Sequence, residues 1–285
     1  MPAAPILITG TTGQVGGEIL RLFPDALAPT RAGLDLASES SIRAYIRQHT
    51  PRWIINPAAY TAVDKAEFEP QLAAAINAEA PRILGEEAQR IGATVLHFST
   101  DYVFDGTKAT PYVEPDPTNP VSVYGSTKLA GEQTLAATGA HHIILRTSWV
   151  YGATGKNFLL TILKLAAQRP ELSIVADQTG APTWSRDLAA LTAQIIASNP
   201  TQSGLYHATA QGSTTWHGFA TEFLRLANVP TTLLPIPTSA YPTPARRPLN
   251  SRLNCDKLHQ TFGLQLPLWQ TSLAAIMSLL PQARS

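Results

Sequence analysis

Tyr124 and Lys128 stand four residues apart in the stretch VYGSTKLAGE, 123–132. On a helix, positions i and i+4 share one face, so a phenol and an ammonium can enter one site. A buried ammonium stabilises the phenolate and lowers the phenol's pKa. The pair could then donate and accept protons near neutral pH. A solvated surface helix carries the same spacing by chance, so the pair needs company. ITGTTGQVGGE supplies it: Gly10, Gly13 and Gly16 follow a short apolar run and open a stretch with helical spacing at Val15, Ile19, Leu20 and Phe23. Glycine permits the tight turn, lets backbone amides approach a pyrophosphate and lets helix pack on strand. The helix N-terminus adds partial positive charge for phosphates. Strand, glycines and helix in that order are the context a dinucleotide site requires.

The elements around these residues alternate. PILITG reads as a buried strand, ALAPT as a weaker one, and SESSIRAYIRQHTP as a helix ended by Pro51. RWIINPAAY and TVLHFST read as strands, with two helical pieces between them that start near Pro70 and Pro81. HIILRTSWVYG is another strand. Strands separated by single helices imply right-handed crossovers and a parallel sheet. The expected fold is α/β, a Rossmann-type doubly wound sheet with a smaller, interleaved C-terminal domain. Residues 1–150 form the dinucleotide-binding domain, completed by about 187–212, and 151–285 form mainly the substrate domain. NFLLTILKLAAQR, RDLAALTAQIIAS and HGFATEFLRLA are helical, and the proline-rich stretch from Pro235 to Asn250 reads as an ordered loop.

Composition narrows the class. The chain has 285 residues, 44% of them hydrophobic, and a formal net charge of +1. That balance points to no nucleic-acid or membrane surface. Cys255 is the only cysteine, which excludes a disulfide framework and a cysteine-rich metal site. MPAAPILITG lacks the basic start and long apolar run of a secretion signal. A cytoplasmic protein is the expectation.

The glycine spacing, with Tyr-x-x-x-Lys, resembles the short-chain dehydrogenase/reductase pattern. The chain as a whole resembles the dTDP-4-dehydrorhamnose reductase family, through TGQVG, AAYTAVDKAE, STDYVFDG, VYGSTKLAGE, RTSWVYG, NF, QTGAPT, GLYHATAQG, TSAYPTPARRPLNSRL and LPLW. The resemblance implies hydride transfer from reduced nicotinamide to C4 of a 4-keto-6-deoxy sugar nucleotide, in the synthesis of dTDP-rhamnose for surface polysaccharide. By motif, it makes Tyr124 the proton donor, Lys128 the ribose ligand that tunes Tyr124, and Thr100 the group that polarises the keto oxygen. Asp101 and Trp149 would line the sugar pocket, with Asn157 and Asn250 also facing substrate. Gly10, Thr12, Gly13, Gln14, Val15 and Gly16 would cradle the dinucleotide. Asp35 and Leu36 would contact adenine, and Ala58, Ala59 and Tyr60, ending the fourth strand, would face the cofactor. Pro57 departs from the Asn-Ala-Ala usual at that turn and removes one backbone donor.

Charges at the edges refine these expectations. Thr30 and Arg31 end the second strand, where an acidic residue would read the ribose of NAD; an arginine can accept the 2′-phosphate of NADP. NADPH is expected as cofactor, with NADH possible. Arg246, Arg247 and Arg252 lie together in ARRPLNSRL, and arginine suits bidentate phosphate recognition. Arg247 is the expected diphosphate ligand. Related 4,6-dehydratases carry an acid where this chain has Tyr102, so elimination is not expected. Some rhamnose reductases form a metal-bridged dimer through glutamates. Glu18 is kept, but Arg186 and Gln270 stand at the acidic partners' positions, so no metal and a monomer or weak homodimer are expected. Two other readings stay open: a reductase of a different 4-keto sugar nucleotide, and a regulatory subunit that binds another enzyme.

Overall fold

The computed structural model describes residues 5–280. Residues 1–4, where the MPAAPILITG stretch begins, and 281–285 lie outside the described residues, so the two expected domains are described only from 5 and up to 280. The first half builds a sheet. Strand β1 (Ile6–Ile8) leads through the glycines into helix α1 (Gln14–Leu22). Helix α2 (Glu39–His49) follows, capped by the Ser38 side chain accepting from the Ser41 amide, and then strand β2 (Trp53–Asn56). Helices α3 (Val63–Ala66), α4 (Pro70–Ala74) and α5 (Ala80–Ile91) lead to strand β3 (Thr94–Thr100). A π-helical turn at Ala75–Glu79 carries α4 into α5, so Pro81 does not start a separate helix. Helix α6 (Val123–Ala137) and strand β4 (His141–Thr147) complete this half.

The second half is more broken. It comprises β5 (Val150–Tyr151), α7 (Phe158–Ala166), β6 (Glu171–Val175), β7 (Thr179–Gly180), β8 (Thr183–Trp184) and α8 (Ser185–Ser198). After these come β9 (Gly204–His207), β10 (Thr214–Thr215), α9 (Trp216–Leu226), β11 (Thr232–Ile236), α10 (Asp256–Phe262) and α11 (Trp269–Met277). The stretch expected as a loop from Pro235 is in part strand, because β11 pairs in parallel with β6 from Thr232 to Ile236.

The main sheet runs β1-β2-β3-β4-β9, all parallel. ALAPT contributes only the bridge Leu7↔Leu27, on the other edge of β1. Asp35 lies in irregular backbone just before a turn that begins at Leu36, so the segment LDL adds no strand. The chain therefore leaves β1 in one direction and returns on its other side to form β2. That reversal opens a crevice at the carboxyl ends of β1 and β2, the place where open α/β sheets bind ligands.

Alternation along the strands makes the sheet two-sided. Ile8, Ile55, Leu96 and Ile143 face one core with Ile19 of α1 and Leu188 and Ile195 of α8. Leu7, Ile54, Val95 and Ile144 face the other with Ile42, Ile46, Leu84 and Leu135 from α2, α5 and α6. A separate apolar cluster unites Tyr151, Leu159, Trp184, Phe219, Phe223, Trp269 and Leu273 in the C-terminal part. The neighbouring strand β9 nevertheless joins the main sheet, which interleaves the two halves.

Candidate active site

Gly10, two residues beyond β1, has φ +60, a left-handed conformation that glycine adopts without strain. A side chain there would press on Ala58, and one at Gly16 would overlap the Gly10 carbonyl. The turn is therefore closed to side chains. No side chain caps the first turn of α1, which leaves its amides and partial positive charge for an anion. Gly10, Thr12, Gly13, Gln14, Val15, Gly16, Ala58 and Ala59 line one cavity of about 610 Å³ together with Thr100, Asp101, Tyr124, Lys128 and Trp149. A smaller cavity of about 300 Å³ continues past Gly10, Thr12, Ala58 and Ala59 to Thr30, Arg31, Asp35 and Leu36. Arg31 is exposed there, with Nε 3.5 Å from Asp35 Oδ1. Tyr60 departs from expectation. Its hydroxyl donates to Glu69 Oε2 at 2.7 Å, and it lies outside the cavity wall that its neighbours form. The reason is local: β2 stops at Asn56, and the loop after it no longer alternates as a strand would.

Helix α6 brings Tyr124 and Lys128 to this cavity. Ser122 caps it, accepting from the Gly125 amide at 3.2 Å. A side chain at Gly125 would overlap the Tyr102 carbonyl, so this glycine lets α6 lie against the segment that follows β3. Thr100 ends β3, and Asp101 and Tyr102 open a single 3-10 turn. The Tyr102 amide donates to Thr100 Oγ1 at 3.2 Å, which donates to Asp101 Oδ1 at 3.1 Å. The Tyr124 ring packs edge-on against Tyr102, with centroids 5.9 Å apart.

The electrostatics differ from the simple pairing that the spacing implied. Desolvation pushes Tyr124 up to about 12, partly opposed by the Thr100 hydroxyl. The hydrogen bonds of Lys128 Nζ run to β3 instead. Lys128 is 1% exposed; it donates to the Phe98 carbonyl at 2.6 Å and lies 3.2 Å from His97 Nε2. Burial lowers Lys128 to about 8. Asp101 is pushed up to about 7, chiefly by burial, with the Ser251 and Thr100 hydroxyls opposing.

Beyond the Tyr124 side, Trp149 adopts φ +46. This breaks the strand expected through RTSWVYG, whose ladder ends at Thr147. Trp149 turns into the cavity and stacks on Trp216 at 3.6 Å and 7°. Trp216 also borders a second cavity of about 760 Å³, which Arg247 lines from the far side. Arg247 is already neutralised: NH1 and NH2 contact the Asp64 carboxylate at 3.1 and 2.9 Å. Arg246 is exposed, and Arg252 is used to hold Asn250 and the Ala109 carbonyl. Asn157 and Asn250, expected against substrate, line none of these cavities. Asn157 caps α7 and donates to Gln14 Oε1 at 2.9 Å. Asn250 donates to the Lys108 and Thr110 carbonyls. An amide offers matched donors and acceptors, and here the loops use them all.

Asp64, Trp216, Gln178 and His97 were missed. Gln178 accepts from Trp216 Nε1 at 3.1 Å. Trp216 follows the cap Thr215 and carries the ordinary signal of a core aromatic. Asp64 sits in the segment AAYTAVDKAE, but its partner lies 183 residues away. Glu18 carries ion pairs to Arg21 at 3.0 Å and to Arg186 at 3.2 Å.

With this geometry in place, comparison with known proteins is specific. The family described as "RmlD substrate binding domain" matches residues 4–281. The chain is 45% identical to the dTDP-4-dehydrorhamnose reductase of Escherichia coli strain K12, covering 96% of this chain and 97% of that protein. It is 44% identical to the enzyme of the same name from Burkholderia thailandensis, covering 93% and 95%. A dTDP-4-dehydrorhamnose reductase from Bacillus anthracis, solved in complex with NADP, superposes with a TM-score of 0.92 at 34% identity, covering 97% and 99%. The chain belongs to the RmlD family of dTDP-4-dehydrorhamnose reductases.

Proposed function

We propose that this protein reduces the C4 keto group of dTDP-4-dehydro-β-L-rhamnose to give dTDP-L-rhamnose, with NADPH as reductant. The observation that carries the reading is the shared cavity: Thr100, Asp101, Tyr124, Lys128 and Trp149 meet the glycine turn of α1 in one space. The turn fits a dinucleotide, since its backbone leaves no room for a Cβ and its helix end has no side-chain cap. Gly10, Gly13 and Gly16 would hold the pyrophosphate, Arg31 the 2′-phosphate, and Lys128 the nicotinamide ribose. When bound, the cofactor supplies hydride to C4.

The chain's own residues handle the proton and the position. Tyr124 keeps its proton at neutral pH, because burial raises its pKa to about 12. It therefore holds a proton that it can give to an oxygen that gains negative charge. The Thr100 hydroxyl, which donates to Asp101 Oδ1 without substrate, would turn its proton to the same oxygen and polarise it beforehand. The paired indoles of Trp149 and Trp216 form an apolar wall for the sugar ring and help exclude water. The C-terminal part, with the Arg247 cavity, takes the nucleotide end of the substrate and serves as the substrate domain. A charged nucleotide substrate and a diffusible cofactor suit a cytoplasmic enzyme, working as a monomer or weak homodimer.

The deciding experiment supplies dTDP-4-dehydro-β-L-rhamnose and NADPH, follows loss of the reduced cofactor and identifies the sugar formed. Formation of dTDP-L-rhamnose is the expected result. Turnover only with another 4-keto sugar nucleotide would move the assignment within the reductases. Binding without turnover of any such substrate would favour the regulatory-subunit reading.

A further inference from the structure

Trp149 and Trp216 stack with ring centroids 3.6 Å apart and planes 7° from parallel. Aromatic pairs ordinarily settle offset or edge-to-face, with centroids about 4.5–7 Å apart. A stack this close and this nearly face-to-face has to be held by its surroundings. The backbone of Trp149 says the same, since φ +46 is a conformation that a bulky residue keeps only where its neighbours enforce it. Trp149 lies against bare backbone on one side, where a Cβ at Gly180 would come 2.5 Å from Cε2. Phe158 packs on Trp216 at 4.6 Å and 51°. These contacts set the planes of the two rings. Rotation of an indole within its own plane is set by a directional bond instead.

Gln178 makes that bond, and the topology explains how it gets there. Strand β7 pairs antiparallel with β10, with Thr179 opposite Thr215, so Gln178 comes opposite Trp216 one step further along. Strand β6 pairs in parallel with β11 as far as Val175 and Ile236, which brings Asp177 to Thr238 just beyond. The two small ladders therefore meet at Asp177 and Gln178. Gln178 Oε1 accepts from Trp216 Nε1 at 3.1 Å, and its Nε2 donates to Thr238 Oγ1 at 3.0 Å. Thr238 Oγ1 donates to Asp177 Oδ1 at 2.6 Å, and the Thr238 amide reaches both oxygens of that carboxylate at 2.9 Å. An indole N–H only donates, so the amide of Gln178 has one orientation here. Gln178 is 4% exposed. An apolar side chain would fill its place at less desolvation cost, and what the amide adds is direction.

Trp216 borders both the catalytic cavity and the cavity that Arg247 lines, whereas Trp149 belongs to the first. A substrate with its keto carbon at Tyr124 and its diphosphate at Arg247 passes this pair of rings. We propose that Gln178 is a positioning residue for the reduction. It fixes the rotation of the Trp216 indole, and through the stack that of Trp149, so that the sugar meets Tyr124 in one orientation. Thr238 and Asp177 hold Gln178 in turn. Gln178 itself lines the Arg247 cavity, but its amide is turned to Trp216 and Thr238, so it acts through the indole.

The inference rests on the reductase reading proposed above, but its first test needs no turnover. The chain has five tryptophans, whose indole N–H signals can be followed by ¹H–¹⁵N NMR in the full-length protein and assigned by substitution. In Gln178→Met, the Trp216 signal should lose the shift of a hydrogen-bonded N–H, and the Trp149 signal should move with it as the ring current changes. A Trp149 signal left in place would overturn the proposal. Thr238→Val, at a half-buried loop position, releases the amide without touching Gln178 and should move the Trp216 signal in the same direction; an unmoved signal would also overturn it. In kinetics, Gln178→Met should lower kcat about 10- to 100-fold, as expected when a reacting group is displaced by a fraction of an ångström to an ångström. Affinity for NADPH and for dTDP alone should stay unchanged, because neither carries the sugar. A normal kcat, or a loss of dTDP affinity as large as the loss in kcat, would overturn the role. Trp216→Phe keeps a ring for stacking and removes the N–H. Gln178→Met should add almost nothing in that background, since both changes break one link. An equal loss in both backgrounds would mean that Gln178 acts on something else. If the reductase reading alone were wrong, the wild type would not turn over while the paired movement of the two indole signals remained.

Discussion

Arg247 and Asp64 form a two-pronged ion pair across the cleft, joining the loop before Asn250 to helix α3. The Thr243 hydroxyl and Ala245 carbonyl also accept from Arg247 NH1, at 2.5 and 3.1 Å. The guanidinium is held before any nucleotide arrives, which lowers the cost of ordering it on binding. Asp64 is in turn held below the ordinary carboxylate range, first by the Arg247 hydrogen bond. Arg247→Ala should raise KM for the sugar nucleotide more than it lowers kcat, because the diphosphate is remote from C4. A loss of about 1.5–3 kcal/mol is expected for a charge-assisted contact. Asp64→Asn should raise KM by a smaller factor, since the arginine keeps its charge but loses its anchor. Steady-state kinetics on both variants decide this; an unchanged KM in Arg247→Ala would mean that the nucleotide is held elsewhere.

Tyr124→Phe should keep cofactor affinity and lose turnover about 100- to 10,000-fold, the usual range for general acid catalysis. The substitution removes the hydroxyl and preserves the ring that packs against Tyr102. NADPH titration and single-turnover rates would be measured together. A variant with near-normal turnover would remove Tyr124 from its role.

Arg31 is 75% exposed at its side chain and stands beside Asp35 in the smaller cavity. Arg31→Ala should reduce the preference for NADPH over NADH by about tenfold, the size expected for an exposed charge-assisted contact. Asp35→Asn should change the preference in the opposite direction, because it removes a competing partner and a negative charge. Specificity constants for both cofactors test the pair. No loss of preference in Arg31→Ala would make it an ordinary surface residue.

Asp101 predicts a pH-dependent stability. Its folded pKa, about 7, lies above the ordinary 3.8 because burial disfavours the carboxylate. The folded protein therefore binds this proton more tightly than the unfolded chain does. The stabilisation is complete below about 3.8 and is lost as pH rises through about 7. Asp101→Asn removes this dependence. Denaturant unfolding at pH 5 and pH 8 should show the variant gaining about 2–4 kcal/mol on the wild type across that interval. Parallel curves for the two proteins would argue that the carboxyl is solvated.

The sequence by itself determined what repeats locally. Short apolar runs placed β1, β2, β3 and β4, helical spacing placed α1 and α6, and the glycines at 10, 13 and 16 marked the turn between strand and helix. Tyr124 and Lys128 were legible because four residues make one helical turn, and Thr100 because it ends a strand. Family resemblance extended that reading to the reaction, the cofactor and the sugar. Tertiary structure decided where polar groups found partners. Asn157 and Asn250 look like ligands in the chain, yet nearby backbone groups use their amides. Tyr60 turns to Glu69 because its strand has already ended. Arg247 meets Asp64, and Trp149 meets Trp216, across separations that no local pattern carries. Lys128 shows the division most clearly. Its spacing from Tyr124 fixed the face it shares, but its pKa depends on burial and on the charge of Glu132. Desolvation and hydrogen-bond direction are properties of groups brought together in space, and only the folded sheet brings these together.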